Sequence, residues 1–478
     1  MNETDKARLL RGGMSQAPHR SCRCARPAGY RDGAPKGTEL PERRDAKTGG
    51  GMSRNARIAA TVGIFICMAF SMGGIFAGSF SVFLKPVSES LGWATAGFTL
   101  IFTLSQIVMA VMSPVAGRII DRIGAKTPLC VGIAFFALGL FGLSTMKSTG
   151  AVYWLSAVAI GISAALAGPV VAMRVVASWY STSRALFLGM VIAAAPQLAQ
   201  SIVAQISRLL INDYGWRTAY EVFALAALVC GGSAAFFLVR TKPVDAADVA
   251  RVEVEKAANA AEPGVPAKQA FRSRTFWTIS VADALATGAL VGAQTVLVNW
   301  MTGRGTSEGT ATTLASILAL SVVVGVLLSG YVADRAHSPR TATAFYLLPI
   351  LGLTLLLVSG TTFVLQLLGV ILTGTGMATV AMLLPYLITR YFGLRTSAEI
   401  YGVSAGLNVV AAGLGSVLIG IGFDATGSYT LPISIAAGAT VIALLLMTTL
   451  KPYTYGVSTP EVPAVSDPPA TTSNPAVY

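Results

Sequence analysis

Gly117-Arg-Ile-Ile-Asp121-Arg122 recurs 213 residues later as Gly330-Tyr-Val-Ala-Asp334-Arg335. Each copy ends an apolar run. Two more landmarks recur at almost the same interval. Trp179-Tyr180 answers to Tyr391-Phe392 at 212, and Asp213-Tyr-Gly215 to Asp424-Ala-Thr-Gly427 at 211. A near-constant offset across three landmarks is the mark of an internal duplication.

Working outward, twelve apolar segments occupy 58–84, 93–117, 127–146, 150–176, 184–207, 217–239, 275–300, 310–333, 341–360, 362–389, 398–422 and 430–450. Each is close to the ~20 residues a helix needs to cross hydrocarbon. The landmarks pair segments six apart, so the halves share one membrane orientation and repeat about an axis along the membrane normal. Such a parallel repeat places a solute site near mid-membrane between the halves, reached by alternating access. The expected fold class is an all-α membrane protein of twelve spans in two six-helix halves, 57–239 and 275–450. A polar linker, 240–274, carries Lys242, Pro243, Pro263 and Pro266. Residues 1–56 read as a disordered tail and 451–478 as a second, Pro/Ser/Thr-rich one. Met52-Ser-Arg-Asn reads as an alternative start, which makes 1–51 a candidate extension.

Composition agrees. Over 478 residues, 54% are hydrophobic and 12% charged, with mean hydropathy +0.65. An ordinary globular domain is about 25% charged. A soluble fold of this size lacks its charged shell here, which excludes a typical cytosolic enzyme, a disordered chain and a nucleic-acid-binding domain. The net charge of +13 instead reports orientation. With the N-terminus inside, 29 Lys/Arg fall on cytoplasmic segments and five outside, namely Lys85, Lys147, Arg208, Arg217 and Arg304, with Arg174 inside a span. The positive-inside rule then places both termini in the cytoplasm; the expected location is the cytoplasmic (inner) membrane of a prokaryote.

The five cysteines form no metal-type CxxC pair, so neither a disulfide framework nor a zinc site is expected. His19 and His337 lie outside the apolar runs, which excludes a histidine proton relay within the spans. There is no phosphate-binding G-x-x-x-x-G-K-[ST] loop, and hence no encoded ATP drive. No cofactor, metal or catalytic residue is expected.

The Gly-x-x-x-Asp-Arg pattern falls on a tight cytoplasmic turn. Gly117 would let helices approach closely. Asp121 would accept hydrogen bonds from a neighbouring helix N-terminus, where the dipole favours an anion. Arg118, Arg122 and Lys126 supply cations beside it. The reading is a conformational latch built from Gly117, Arg118, Asp121 and Arg122, repeated by Asp334 and Arg335. The bland alternative is an ordinary basic loop.

These residues resemble the major facilitator superfamily. Gly117-Arg118-Ile-Ile-Asp121-Arg122-Ile-Gly124-Ala-Lys126 is similar to its loop signature between helices 2 and 3, and the resemblance covers about 57–450. Within it, the chain resembles the monocarboxylate transporters and the oxalate/formate exchangers. The stretches concerned are Ser81-Val-Phe-Leu-Lys-Pro with Leu91-Gly-Trp93, Ser178-Trp-Tyr-Ser-Thr-Ser-Arg-Ala, Tyr214-Gly-Trp-Arg-Thr-Ala-Tyr220, and Tyr391-Phe-Gly-Leu-Arg with Tyr401-Gly402. The resemblance implies carriage of a small organic solute, most simply a carboxylate, with protons as a candidate coupling ion. It also has departures. The lysine that similar monocarboxylate transporters carry late in helix 1 aligns with Gly78. Segments 310–332 and 400–422 contain none of the charged residues the relatives place there.

Polar groups inside spans are costly and usually meet a partner or a cavity. Asp283, about 12 Å into helix 7 at ~1.5 Å per residue, could hold a cation or a proton; otherwise it is a paired structural carboxylate. Arg174 could bind a solute carboxylate, snorkel to the inner surface, or pair with Asp283 as a gate. Gln197, Ser201 and Gln205 stand at i, i+4 and i+8, with Gln200 beside them. They line one helix face, read as cavity lining against helix–helix hydrogen bonding. Asn408 and Tyr386, after Pro385, are further candidates. Gln294 and Asn299 read as interfacial, and Gly74-x-x-x-Gly78 and Gly402-x-x-x-Gly406 as close helix packing. The expectation is a monomeric secondary transporter in the lipid bilayer, with an exporter of amphipathic or cationic compounds and a non-transporting sensor as alternatives.

Overall fold

The computed structural model describes residues 49–180, 187–239, 264–333, 344–393 and 395–450. Asp334 and Arg335, most of the expected linker and most of both tails lie outside them. Among the described residues the chain is helical apart from short turns and one isolated antiparallel bridge, Gly264 to Gly393. In hydrocarbon no water serves the backbone, so an apolar segment must close its own hydrogen bonds as a helix.

The first helix, α1, is Gly49–Ala69 and begins inside the expected tail. It bends by 42° into a π-helical turn, Met72–Phe76, and then α2, Ala77–Leu91. At the bend Ser71 Oγ accepts from the Gly73 N–H. α3 is Thr95–Ile123 and α4 Lys126–Thr145. The fourth segment is divided into α5, Ala151–Leu166, and α6, Pro169–Trp179. Pro169 lacks an N–H and starts the new helix at its first position. A continuous run, Gly189–Leu238, covers the fifth and sixth segments; its central helix α7, Ala195–Ala226, turns at Gly215, whose φ is 82°. That left-handed backbone is open to glycine at little cost.

In the second half, short α8 (Ala267–Ala270) leads to α9 (Arg274–Gly303), α10 (Glu308–Ala333), α11 (Leu347–Val358), α12 (Phe363–Phe392), α13 (Ser397–Thr426) and α14 (Thr430–Thr448). Nine helical stretches among the described residues are long and apolar enough to cross a membrane. One of them covers two segments, the bent α1–α2 pair forms another, and 12-residue α11 matches the ninth segment. Within the described residues, all twelve apolar segments are therefore represented by helix.

The halves meet through α3 against α13, α7 against α10, and α2 against α9. The described hydrogen bonds between them gather at one end, although α10 also meets the turn Gly189–Ala194 towards the other. The Thr103 hydroxyl donates to Gly413 O at 2.6 Å, Ser316 to Ser201 O at 2.6 Å, and Asn299 Nδ2 to Ser81 O at 2.6 Å. All lie towards the start of α3 and the end of α13, here called the closed end. A Cβ on Gly420 would lie 3.0 Å from Ala96 Cα, and one on Gly413 3.0 Å from Thr103 Cα. Towards the other end of the same helices, Gly117, Gly402 and Gly406 would meet nothing within 4 Å. The expected close packing therefore holds for Gly74 and Gly78 but not for Gly402 and Gly406. Gly117 likewise makes no close approach, because the halves part where these glycines stand.

Candidate solute and coupling site

Asp283 sits on α9 at 1% exposure. One neighbouring helix and the segment before α11 supply its hydrogen-bond partners. The Tyr346 hydroxyl donates to Asp283 Oδ1 at 3.2 Å, and Asn408 Nδ2 on α13 donates to Oδ2. One turn away, Ser280 and Ser404 share a 2.7 Å hydrogen bond between the same two helices. Small residues allow this proximity: a Cβ on Gly288 would lie 2.8 Å from Ala411 O. Both carboxylate oxygens are thus held by neutral donors. Asn408 is only partly buried, and its Oδ1 has no hydrogen-bond partner.

Arg174 does not pair with Asp283. Its Nη1 lies 2.9 Å from Asp121 Oδ1, and both side chains are about half exposed or more. Asp121 is therefore held by a guanidinium from α6 in this arrangement, instead of by a helix N-terminus. α6 is the neighbour of α3 within the same half. Arg118 and Arg122 are exposed beside it.

The polar face of α7 divides. Ser201 and Gln205 join the seam with α10, where Gln205 Nε2 is 3.3 Å from both Thr313 and Ser316 hydroxyls. Gln200 is buried, donates to Gly73 O at 2.8 Å at the bend of the first span, and accepts from Gln294 Nε2 at 3.0 Å. Gln294 and Asn299 are thus interior bridges between the halves and not interfacial groups. Gln197 is half-buried with its Oε1 unpartnered. Tyr386 on α12 is half-buried under the Arg390 guanidinium, 5.1 Å from the ring centre. Gly78 is explained as well: a Cβ there would lie 2.6 Å from Gln200 Cα, so α7 fills the place a longer side chain would need.

Sequence reasoning did not single out Tyr346. It lies near the start of its apolar segment, where a tyrosine reads as an interfacial anchor. Gln294 carried a signal, a lone amide in an apolar run, but its depth hid its partner.

Two six-helix halves meeting around buried polar groups define a multi-pass membrane transporter, not an enzyme. Residues 64–418 match the Major Facilitator Superfamily, and the chain belongs to that family. It is 21% identical over 360 residues to the uncharacterized transporter YycB of Bacillus subtilis, covering 73% of this chain and 82% of that one. It is 23% identical to monocarboxylate transporter 4 of Rattus norvegicus over 57% of this chain and 56% of the other. A shorter stretch of 111 residues is 30% identical to the oxalate:formate antiporter of Oxalobacter formigenes, covering 23% of this chain and 26% of that protein. The chain thus spans about half the matched monocarboxylate transporter and about a quarter of the antiporter.

Proposed function

We propose that the protein is a secondary active transporter of a small organic carboxylate, working by alternating access with protons as the coupling ion. The names of the monocarboxylate and oxalate:formate relatives support the solute class. The observation that carries the coupling role is Asp283, buried and held by Tyr346 and Asn408, with no cation among its hydrogen-bond partners in the described residues. An acidic residue set among neutral partners inside a span is the type of group that serves a proton path. Asn408, partly buried as a residue although its Oδ1 is shielded, is the side chain through which a solute would communicate with Asp283. The Lys/Arg distribution supports both termini in the cytoplasm, and hence a cleft open to the cytoplasm in this arrangement. A monomer in a prokaryotic inner membrane completes the reading.

The same Asp283 supports a second reading, export of amphipathic or cationic compounds. Gly78, packed on Gln200, leaves no room for the anion-binding lysine of similar transporters.

Proteoliposomes separate the two. Uptake of formate, oxalate and short monocarboxylates is measured with and without an imposed pH gradient, in the native protein and in Asp283→Asn. Coupling at Asp283 predicts loss of gradient-driven accumulation with downhill exchange partly retained, because an amide cannot carry the proton. A cationic solute bound by Asp283 predicts no carboxylate uptake at all, and loss of both modes for a cationic probe.

A further inference from the structure

At the closed end, α3 begins without a cap of its own. Its N-cap residue is Ala94, which offers no side-chain acceptor. The first N–H groups of a helix have no intrahelical partner. Here they find one 329 positions away, in the other half: Asp424 Oδ1 accepts from the Thr95 N–H at 2.8 Å and Oδ2 from the Ala96 N–H at 2.7 Å. A carboxylate astride a helix N-terminus is favoured by both hydrogen bonding and the helix dipole. Behind it the helices touch at backbone distance, with Gly420 on Ala96 and Gly413 on Thr103. The halves cannot part at this end while both bonds stand.

The repeat makes the arrangement informative. Asp213 is the counterpart of Asp424 in the first half; both are exposed, but among the described residues only Asp424 caps a helix of the other half. The helix Asp213 would serve by symmetry, α10, has its early Thr310 N–H met by Ser307 Oγ at 3.2 Å from its own chain. One of two equivalent aspartates has been drawn into the contact between halves.

We propose that Asp424 is a positioning residue of the transport cycle, a latch that holds the halves together at the closed end and must release the start of α3 each time that end opens. The inference rests on the alternating-access reading, but on neither the solute nor the coupling ion.

State-dependent labelling tests it on the full chain in lipid nanodiscs, without any solute. In a background lacking the five native cysteines, Thr99→Cys reports the closed end, where the side chain is fully buried and faces Gly420. Gly406→Cys reports the open end, where a side chain meets nothing. Asp424→Ala removes the acceptor. Thr95→Pro removes one donor from the other side. Proline suits a first helical position, and Ala94 already has the extended backbone a following proline requires, φ −64° and ψ 150°. Each variant should raise maleimide labelling at position 99 by about tenfold, the population change that ~1.4 kcal/mol produces, and lower it at position 406. Asp213→Ala should change neither. Unchanged labelling in both variants overturns the latch. An equal rise at both positions, meaning general loosening, overturns it too. Failure of carboxylate transport would leave these rates untouched, so the two readings fail separately.

Discussion

Tyr346 and Asn408 are the partners that let a carboxylate stand at position 283 in the interior. A lone charge there would cost several kcal/mol, and hydrogen bonds from neutral donors offset part of that. Tyr346→Phe deletes one donor while keeping the ring in place. The loss should destabilise the protein by about 1–3 kcal/mol, read as a lower melting temperature of the purified protein. Gradient-driven uptake should also fall, since Asp283 loses the group that orients it. An unchanged melting temperature would mean that water replaces the hydroxyl and that the site is wetter than its 1% exposure suggests.

Among the helices, glycine placement divides into contacts already made and contacts left open. Gly78 meets Gln200, and a Cβ on Gly292 would lie 2.7 Å from Gly415. These sites hold α2 on α7 and α9 on α13 at backbone range, where any side chain forces the helices apart. Overpacking of this kind costs roughly 1–3 kcal/mol or more. Gly78→Lys, which restores the lysine of the similar transporters, should therefore lower melting temperature and monodispersity in size-exclusion chromatography. Gly406→Ala has open space in this arrangement and should leave both unchanged. Its effect should appear in turnover instead, when that face closes. Equal damage from both substitutions would contradict the open space around Gly406.

For the molecule as a whole, the two ends are governed by different electrostatic contacts. Asp424 crosses between halves at the closed end, whereas Asp121 pairs with Arg174 inside one half at the open end. An ion pair as exposed as the latter contributes only about 0–1 kcal/mol to stability. Asp121→Asn should therefore fold and insert normally. If the loop is a conformational latch, transport should nevertheless drop steeply, because the charge that would choose between Arg174 and the facing half is gone. Near-native uptake at equal membrane abundance would remove Asp121 from the cycle.

Twelve apolar runs and three landmarks repeated about 212 residues apart already determine helices, their number and the duplication. Those properties follow from hydrocarbon, which forces each run to satisfy its own backbone. Asp283 was visible on the same ground, since a charge in an apolar run must have a reason. Its partners were not, because Tyr346 and Asn408 are 63 and 125 residues away, and periodicity carries no information about which helices face each other. Arg174 illustrates the same limit. Depth alone matched it to Asp283, whereas packing within the first half set it against Asp121. Asp424 read as one more repeat landmark, although its duplicate Asp213 bears the same motif and caps no helix of the other half among the described residues. Only the tertiary structure separates the two, because a helix N-terminus becomes a partner for a distant carboxylate when the two halves close over it.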